Sequence, residues 1–322
     1  MTGLGSVVAL SGGVGGAKLV CGLAVAMDPL NLTVIANPGD DFEHLGLAIC
    51  PDLDTVTYTL AGHANQYTGW GRANETWTFM DALESIGGET WFRLGDGDLA
   101  LQVERTRRLS AGECLGDVTA DICHRWGIAA NIRPASGSRV RTVVETDIGD
   151  LSFQHYFVRD QCAPRVTGFR FDGASTARPD EAALAALADP SLRAVLICPS
   201  NPFISIDPIL AIPGYRAAIA ATSAAVIAVS PIIGGQAVKG PAAKMLAELG
   251  LAVSAQSVWR HYGDLIDAIV LDTADVRLAD AARADGLDVL VTPTVMGDDA
   301  GKKALAHAIL AFADSTRALA KT

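Results

Sequence analysis

Hydrophobic positions along this chain fall in short unbroken runs rather than in strict alternation. Val7–Leu10, Leu32–Ala36, Ala194–Cys198, Ala225–Val229, Ala268–Leu271 and Val289–Thr292 are rich in Val, Ile, Leu and Ala and are bounded by turn residues. Runs of that length without polar interruption predict strands buried on both faces. Between them, Ala17–Met27, Pro241–Leu249 and Gly301–Ala320 place apolar residues at helical spacing. The first two strands flank a helix, which makes a βαβ unit and requires them to be parallel. The pattern predicts an α/β fold: a Rossmann-like parallel sheet with helices on both faces.

The middle of the chain breaks this rhythm. From about residue 55 to residue 133 strand-like runs are scarce, and Trp70, Trp77, Trp91 and Trp126 are concentrated there. Helical patterns occur at Glu75–Ile86 and Ala111–Trp126. We expect one domain over residues 1–322 with a mainly helical, aromatic-rich insertion at 56–135. After it, Val140–Glu145 and Leu151–Val158 around the turn Asp147–Asp150 predict an antiparallel hairpin.

Composition narrows the function. Half of the 322 residues are hydrophobic and 19 % are charged, which excludes a disordered chain. The net charge of -11 argues against general binding to nucleic acid or to anionic membranes. A phosphate-bearing ligand would then call for a bridging cation. The six cysteines show no C-x-x-C spacing and no structural zinc pattern, so reduced, mostly buried thiols in a cytoplasmic protein are expected. The start, Met1–Leu10, lacks the basic region of a secretion signal. Ala217–Val238 is uncharged over a membrane-spanning length, but its Pro231, Gly234, Gly235 and Gln236 favour a helix end, a buried strand and a glycine loop.

The chemistry lies in the turns that follow the strands. Ser11-Gly-Gly-Val-Gly-Gly-Ala-Lys18 joins a strand to a helix, the arrangement in which backbone N–H groups approach phosphate. It is neither a Walker loop, because Leu19 follows the lysine, nor a G-x-G-x-x-G fingerprint. The alternative is a tight turn needing positive φ. Asp40 and Asp41 after the second strand, with Asp52 and Asp54 close behind, would repel one another unless a hard cation such as Mg²⁺ lay among them. Asp40 and Asp52 read alternatively as helix caps. Arg93, within Trp91–Asp98, can clamp an anion or stack on a planar ring, with Trp91 and Phe92 equally readable as core. Pro199-Ser200-Asn201-Pro202 presents short polar groups from a stiffened loop, with Ser205 placed to cap the next helix. Ser230–Pro241 is a second glycine turn, with Gly234, Gly235 and Lys239 placed for phosphate contact. The six histidines are scattered and form no nucleophilic constellation.

Taken in order, Ser11–Lys18, Asn37-Pro-Gly-Asp-Asp41, Pro51-Asp-Leu-Asp-Thr55, Gly69-Trp-Gly71, Leu94-Gly-Asp96, Pro199–Pro202 and Ser230-Pro-Ile-Ile-Gly-Gly235 resemble the CofD/FbiA family over nearly the whole chain. These are the 2-phospho-L-lactate transferases of deazaflavin coenzyme F-420 biosynthesis. The resemblance implies transfer of a phospho-acid (2-phospholactate, phosphoenolpyruvate or 3-phosphoglycerate) from a guanosine diphosphate-activated donor to the ribityl hydroxyl of the deazaflavin Fo. GMP is released, Mg²⁺ is the expected ion, and a homodimer is implied.

By that resemblance Asp54 contacts Fo, with Asp40, Asp41 and Asp54 as catalytic and metal-binding carboxylates. Arg93 is expected near Fo. Gly12, Gly13, Gly15, Gly16, Lys18, Ser200, Asn201, Gly234, Gly235 and Lys239 would hold the guanosine diphosphate part. Since Asn caps a helix as well as Asp does, Asp54→Asn is expected to spare stability. The chain departs from the family at Gly97, where an arginine is usual, and at Ala100-Leu101-Gln102, where Ala-Thr-His is usual. Arg93 would then replace the missing arginine, or the donor would differ. Two rivals share the opening unit: a YvcK-like regulator binding a nucleotide sugar, and an NAD(P)-dependent oxidoreductase, disfavoured by the missing fingerprint.

Overall fold

The computed structural model describes residues 5–319. The ends of the expected domain, residues 1–4 and 320–322, and with them Ala320 of the expected last helix, lie outside the described residues. Seven parallel strands form the main sheet: β1 (Ser6–Ser11), β2 (Leu32–Ala36), β3 (Asn131–Pro134), β4 (Leu192–Ile197), β5 (Ala225–Val229), β6 (Ala268–Leu271) and β7 (Asp288–Val291). Their spatial order is β7-β6-β5-β4-β1-β2-β3. This is a doubly wound Rossmann-like sheet, as the run pattern predicts.

Both faces are dry. Alternate residues of each strand feed opposite cores, with Val8, Leu10, Ile35, Val195 and Ile197 on one side and Val7, Ala9, Val34, Ala36 and Leu196 on the other. The second face is covered by α1 (Gly13–Ala26), α2 (Pro51–Leu60) and the C-terminal helix, labelled α6 (Asp299–Leu319) below. Burial on two sides is why these strands read as continuous apolar runs.

Between β2 and β3 lie a small hairpin (Phe42–His44 with Leu47–Ile49), α2, α3 (Thr78–Ser85), α4 (Asp96–Ser110) and α5 (Leu115–Arg125). The run pattern does not pick out the small hairpin or α2, and two further elements escape it. The edge strand β3 reads Asn-Ile-Arg-Pro, too polar and too short to stand out, and its proline is tolerated because only one side is paired. Helix α4 is largely polar and buries only Leu101, Gln102 and Arg105.

The predicted antiparallel hairpin is present but altered. Arg141–Thr146 pairs with Gly149–Ser152, while Phe153–Val158 leaves the sheet and His155–Arg159 turns helically. A third strand, Val166–Asp172, pairs on the other side of Arg141–Thr146. Ala217–Val238 folds as the end of the helix Tyr215–Ala221, then β5, then a short hairpin, Ile232–Ile233 with Gln236–Ala237. Among the described residues no single helix is long and apolar enough to cross a membrane; the apolar pair Pro202–Leu210 and Tyr215–Ala221 is bent by 85°. All six cysteines are free; Cys50, Cys123 and Cys198 are buried, and Cys114 is exposed.

Candidate active site

Strand order reverses between β1 and β4, and doubly wound sheets bind ligands beyond the carboxyl ends at that point. Register aligns three loops there. Ser11 pairs with Ala36 and Leu10 with Ile197, so Gly12, Asn37 and Cys198 emerge side by side. The Asn37 N–H donates to Ser11 O at 3.0 Å and the Cys198 N–H to Leu10 O at 3.1 Å.

The first glycine turn is held closely by its neighbours. The Gly12 N–H donates to Ser200 Oγ at 3.3 Å, and Ser200 Oγ donates back to Gly12 O at 2.7 Å. A Cβ at Gly15 would lie 2.2 Å from Pro199 O, and one at Gly16 would lie 2.4 Å from Ser11 Oγ. These two glycines are therefore required by the close approach of the β4 loop. Gly13 has φ +65 and open space beyond it, so it alone meets the positive-φ requirement. Its N–H donates to Asp52 Oδ1 at 2.7 Å. Asp52 thus places a carboxylate at the N-terminus of α1, where the helix dipole favours negative charge. It caps α1 from within the first turn of α2 rather than capping its own helix.

Asn37 is the hub of the carboxylates. Its Nδ2 donates to Asp40 Oδ1 at 3.1 Å, to Asp52 Oδ2 at 2.9 Å and to Ile204 O at 3.0 Å, while its Oδ1 accepts from the Gly39 N–H at 2.8 Å. Burial and the neighbouring Asp52 raise the Asp40 carboxyl well above the usual carboxylate range. Burial pushes Asp52 up to about 6, against the pull of Asn37 and the Gly13 N–H. Asp41 rises to about 7 through burial, opposed by Arg141 and Arg105. Its Oδ1 is buried without a hydrogen-bond partner.

Asp54, expected beside Asp40 and Asp41, lies elsewhere. Arg105 of α4 grips both of its oxygens, Nη1 on Oδ2 at 3.1 Å and Nη2 on Oδ1, and Gln102 Nε2 donates to Oδ2 at 2.9 Å. Both partners are buried. With its oxygens taken, Asp54 is not free to join Asp40 and Asp41 around an ion. Among the described residues no three His, Cys, Asp or Glu side chains stand in metal-holding geometry. The pairings are instead Asp40 with Asp52 about Asn37, and Asp41 with Asp54 near Arg105.

Behind Asp54 opens a cavity of ≈ 370 Å³. Trp70, Trp77, Phe92, Arg93, Arg72, Glu75, Asp98 and Gln102 line it, together with Pro51, Asp54, Thr55 and Tyr58 of α2. Arg93 stacks over the Trp77 ring, its Cζ 4.4 Å from the centroid. The guanidinium at Gly97 is that of Arg72, whose Nη1 donates to Gly97 O at 3.2 Å. Glu75 closes the N-terminus of α4 by accepting from the Gly97 and Asp98 N–H groups at 2.7 and 2.8 Å. Arg105, Gln102, Glu75 and Tyr58 were not singled out for chemistry by the sequence. A signal exists: Asp98, Gln102 and Arg105 fall four and three residues apart, a polar stripe on one helix face.

The other expected contacts are arranged as follows. Asn201 Oδ1 accepts from the Phe203 N–H at 3.0 Å and Nδ2 meets Met245 Sδ at 3.2 Å. Asn201, and not Ser205, therefore caps the turn Pro202–Ile206, inside which Ser205 lies. Gly234 and Gly235, both at positive φ, make the tight turn of the short hairpin, and the Gly234 N–H is tied to Asp275 Oδ2 at 2.9 Å. Lys239 Nζ donates to Thr68 O at 2.6 Å, bringing the loop around Trp70 against the β5 side of the crevice. Lys18 Nζ donates to Met296 O at 2.9 Å; burial, then the charges of Lys239 and Lys302, lower its pKa.

The sheet with its switch-point crevice, and beside α2 an aromatic cavity lined by carboxylates and guanidinium groups, define a doubly wound α/β protein with a built pocket. Comparison supplies the family. Residues 7–301 match a family model described as 2-phospho-L-lactate transferase CofD. A phosphoenolpyruvate transferase of Kitasatospora aureofaciens is 42% identical over 318 residues, covering 97% of this chain and 98% of that one. One from Streptomyces griseus is 40% identical over 319 residues (97% and 99%), and one from Thermobifida fusca is 40% identical over 321 residues (95% and 97%). Among solved structures, protein BH3568 of Bacillus halodurans superposes with TM-score 0.62 at 16% identity, covering 95% of this chain and 99% of that one; this likeness shows the fold alone. The chain belongs to the CofD family of phospho-acid transferases.

Proposed function

We propose that this enzyme transfers a phosphoenolpyruvyl group from a guanosine diphosphate-activated donor to the ribityl hydroxyl of the deazaflavin Fo, releasing GMP. The observation that carries the reading is the cavity beside α2, with two tryptophans, Phe92 and the stacked Arg93 for a planar ring and Asp54 at its inner wall. A flat heteroaromatic gains from such stacking and apolar burial. The names of the relatives favour phosphoenolpyruvate among the three phospho-acids. The guanosine diphosphate part would lie over the first glycine turn, towards Lys18 and Lys239.

Asp40 and Asp41 are the residues that would hold Mg²⁺. Asp41 Oδ1 is buried without a hydrogen-bond partner, and the raised pKa values of both carboxyls mark crowded negative charge that a hard cation offsets. Mg²⁺ typically takes one or two carboxylates and completes its shell with water and substrate phosphate. Once bound, it would supply charge neutralisation for the diphosphate. The chain's own groups position the two substrates for in-line transfer, which needs alignment more than covalent chemistry. Assembly as a homodimer belongs to the same proposal, and sedimentation reads it.

The test is incubation with Fo, Mg²⁺ and each guanylyl-activated phospho-acid, reading the deazaflavin product by mass. The phosphoenolpyruvyl product is expected, with its loss in excess chelator. Full activity in chelator would remove the metal from the scheme. Arg93→Ala should weaken Fo binding, read by deazaflavin fluorescence, and unchanged affinity would place the ring elsewhere.

A further inference from the structure

Three carboxylates line the cavity, and their oxygens are not equally free. Asp54 gives both oxygens to Arg105 and one also to Gln102. Glu75 gives both to the backbone of α4. Asp98 differs. Its Oδ1 accepts from the Tyr58 hydroxyl at 2.5 Å and from Gln102 Nε2 at 3.0 Å. Its Oδ2 accepts from no donor among the described residues and is not a sealed, unpartnered atom, so it is open to the cavity.

We propose that Asp98 Oδ2 is the proton acceptor for the hydroxyl that attacks the phospho-acid. The assignment rests on the transfer reading above. In that step the hydroxyl oxygen forms a bond to the phosphorus of the phospho-acid, and its proton passes to Asp98. The bond from that phosphorus to the bridging oxygen breaks, and its electron pair leaves with GMP. The surroundings suit the role. Burial first, then the charge of Asp54, raise the Asp98 carboxyl to about 6, while the Tyr58 and Gln102 hydrogen bonds hold it down and Glu75 pushes it up. Arg72, bonded to Gly97 O, Arg105, paired with Asp54, and Arg93, stacked on Trp77 in the same lining, are the cations around it. Asp98 is thus ionised at neutral pH yet more basic than an exposed aspartate, which is what a general base requires. Gln102 is a positioning residue: its amide fixes Asp98 Oδ1 and Asp54 Oδ2 together, and its Oε1 accepts from Arg105 Nη1 at 2.6 Å.

The experiment measures kcat against pH at saturating Fo and donor for the wild type, Asp98→Asn and Tyr58→Phe, with Fo affinity read separately by fluorescence. Asparagine keeps the oxygen that Tyr58 and Gln102 bond. Asp98→Asn should lower kcat by roughly 10²–10⁴-fold, leave Fo affinity within about twofold and abolish the acid limb of the profile. Tyr58→Phe should move that limb to higher pH, because the lost hydrogen bond favoured the charged carboxylate. A kcat for Asp98→Asn within about fivefold of wild type at every pH overturns the assignment, as does a loss confined to Fo affinity. A wild type that forms no product with any of the three donors refutes the transfer reading, and the proton-acceptor role falls with it.

Discussion

Arg105 is a guanidinium buried to 3% exposure whose charge is met by a carboxylate 51 positions away in sequence. Burial alone would weaken its charge; Asp54 holds it ionised. This pairing argues against the expectation that Asp54→Asn spares stability. Asp54 is no cap, and the substitution would leave Arg105 buried without a counter-charge. Breaking such a pair costs about 3–5 kcal/mol, so chemical denaturation of Asp54→Asn should show a loss of that order. Adding Arg105→Met should recover part of it, since the stranded charge goes too. A midpoint unchanged in the single variant would show that the pair carries no net weight. The sequence revealed that Asp54 matters through its motif, but not its partner, because nothing in a sequence pairs residues that far apart. Gln102 was visible only as a departure from the family pattern; its meaning came from the two carboxylates it bridges.

At the scale of elements, what was legible follows from burial. β2, β5 and β6 match their runs residue for residue, because strands covered on both faces are almost wholly apolar, Thr33 of β2 being the one polar residue among them. The edge strand β3 and the polar helix α4 were missed for the converse reason. Helix α4 has no capping side chain at Gly95; Glu75, from the preceding loop, supplies the acceptor instead. Glu75→Ala should therefore act as the loss of a helix cap, costing about 1 kcal/mol. It should also loosen the first turn of α4, so amide exchange should speed up most at Gly97 and Asp98. Exchange rates unchanged there would mean that the turn is held by Arg72 and the Asp96 contacts instead.

Across the whole molecule, the doubly wound order brings loops from β1, β2 and β4 to one point, and there it concentrates carboxylates inside an acidic protein. The pH response follows with a definite sign. Asp41 stands at about 7 in the folded chain and near 3.9 when unfolded. Between those values the folded state binds more protons, so its contribution to stability falls as pH rises from about 4 to about 7 and is flat above. Asp40 and Asp52, also raised, act in the same direction. Asp41→Asn removes this titration. Its stability relative to wild type should improve between pH 4 and pH 8 by roughly 1–3 kcal/mol, the cost of an unsatisfied buried group. A pH-independent difference would contradict the assignment. If Mg²⁺ binds these carboxylates as proposed, it should raise the wild-type melting temperature more at pH 8 than at pH 5, because a hard cation is held by the ionised groups. The fold and the location of the crevice could be read from the strand runs and their glycine turns. The split of the carboxylates into two separate pairs could not, since it depends on which way α2 and α4 face.

The two asparagines that tie the crevice together, Asn37 and Asn201, share one local feature: each holds its own turn by accepting from the N–H two residues on, and each is followed by proline. Spontaneous deamidation begins when the next residue's backbone nitrogen attacks the side-chain amide, and Pro38 and Pro202 have no N–H with which to do so. Ageing at Asn37 would otherwise set a third carboxylate between Asp40 and Asp52. On prolonged warming at alkaline pH, peptide mass analysis should find the one-dalton gain at other asparagines, such as Asn65 or Asn74, well before either of these. The proline after each asparagine thus protects the chemical lifetime of the crevice as well as its shape.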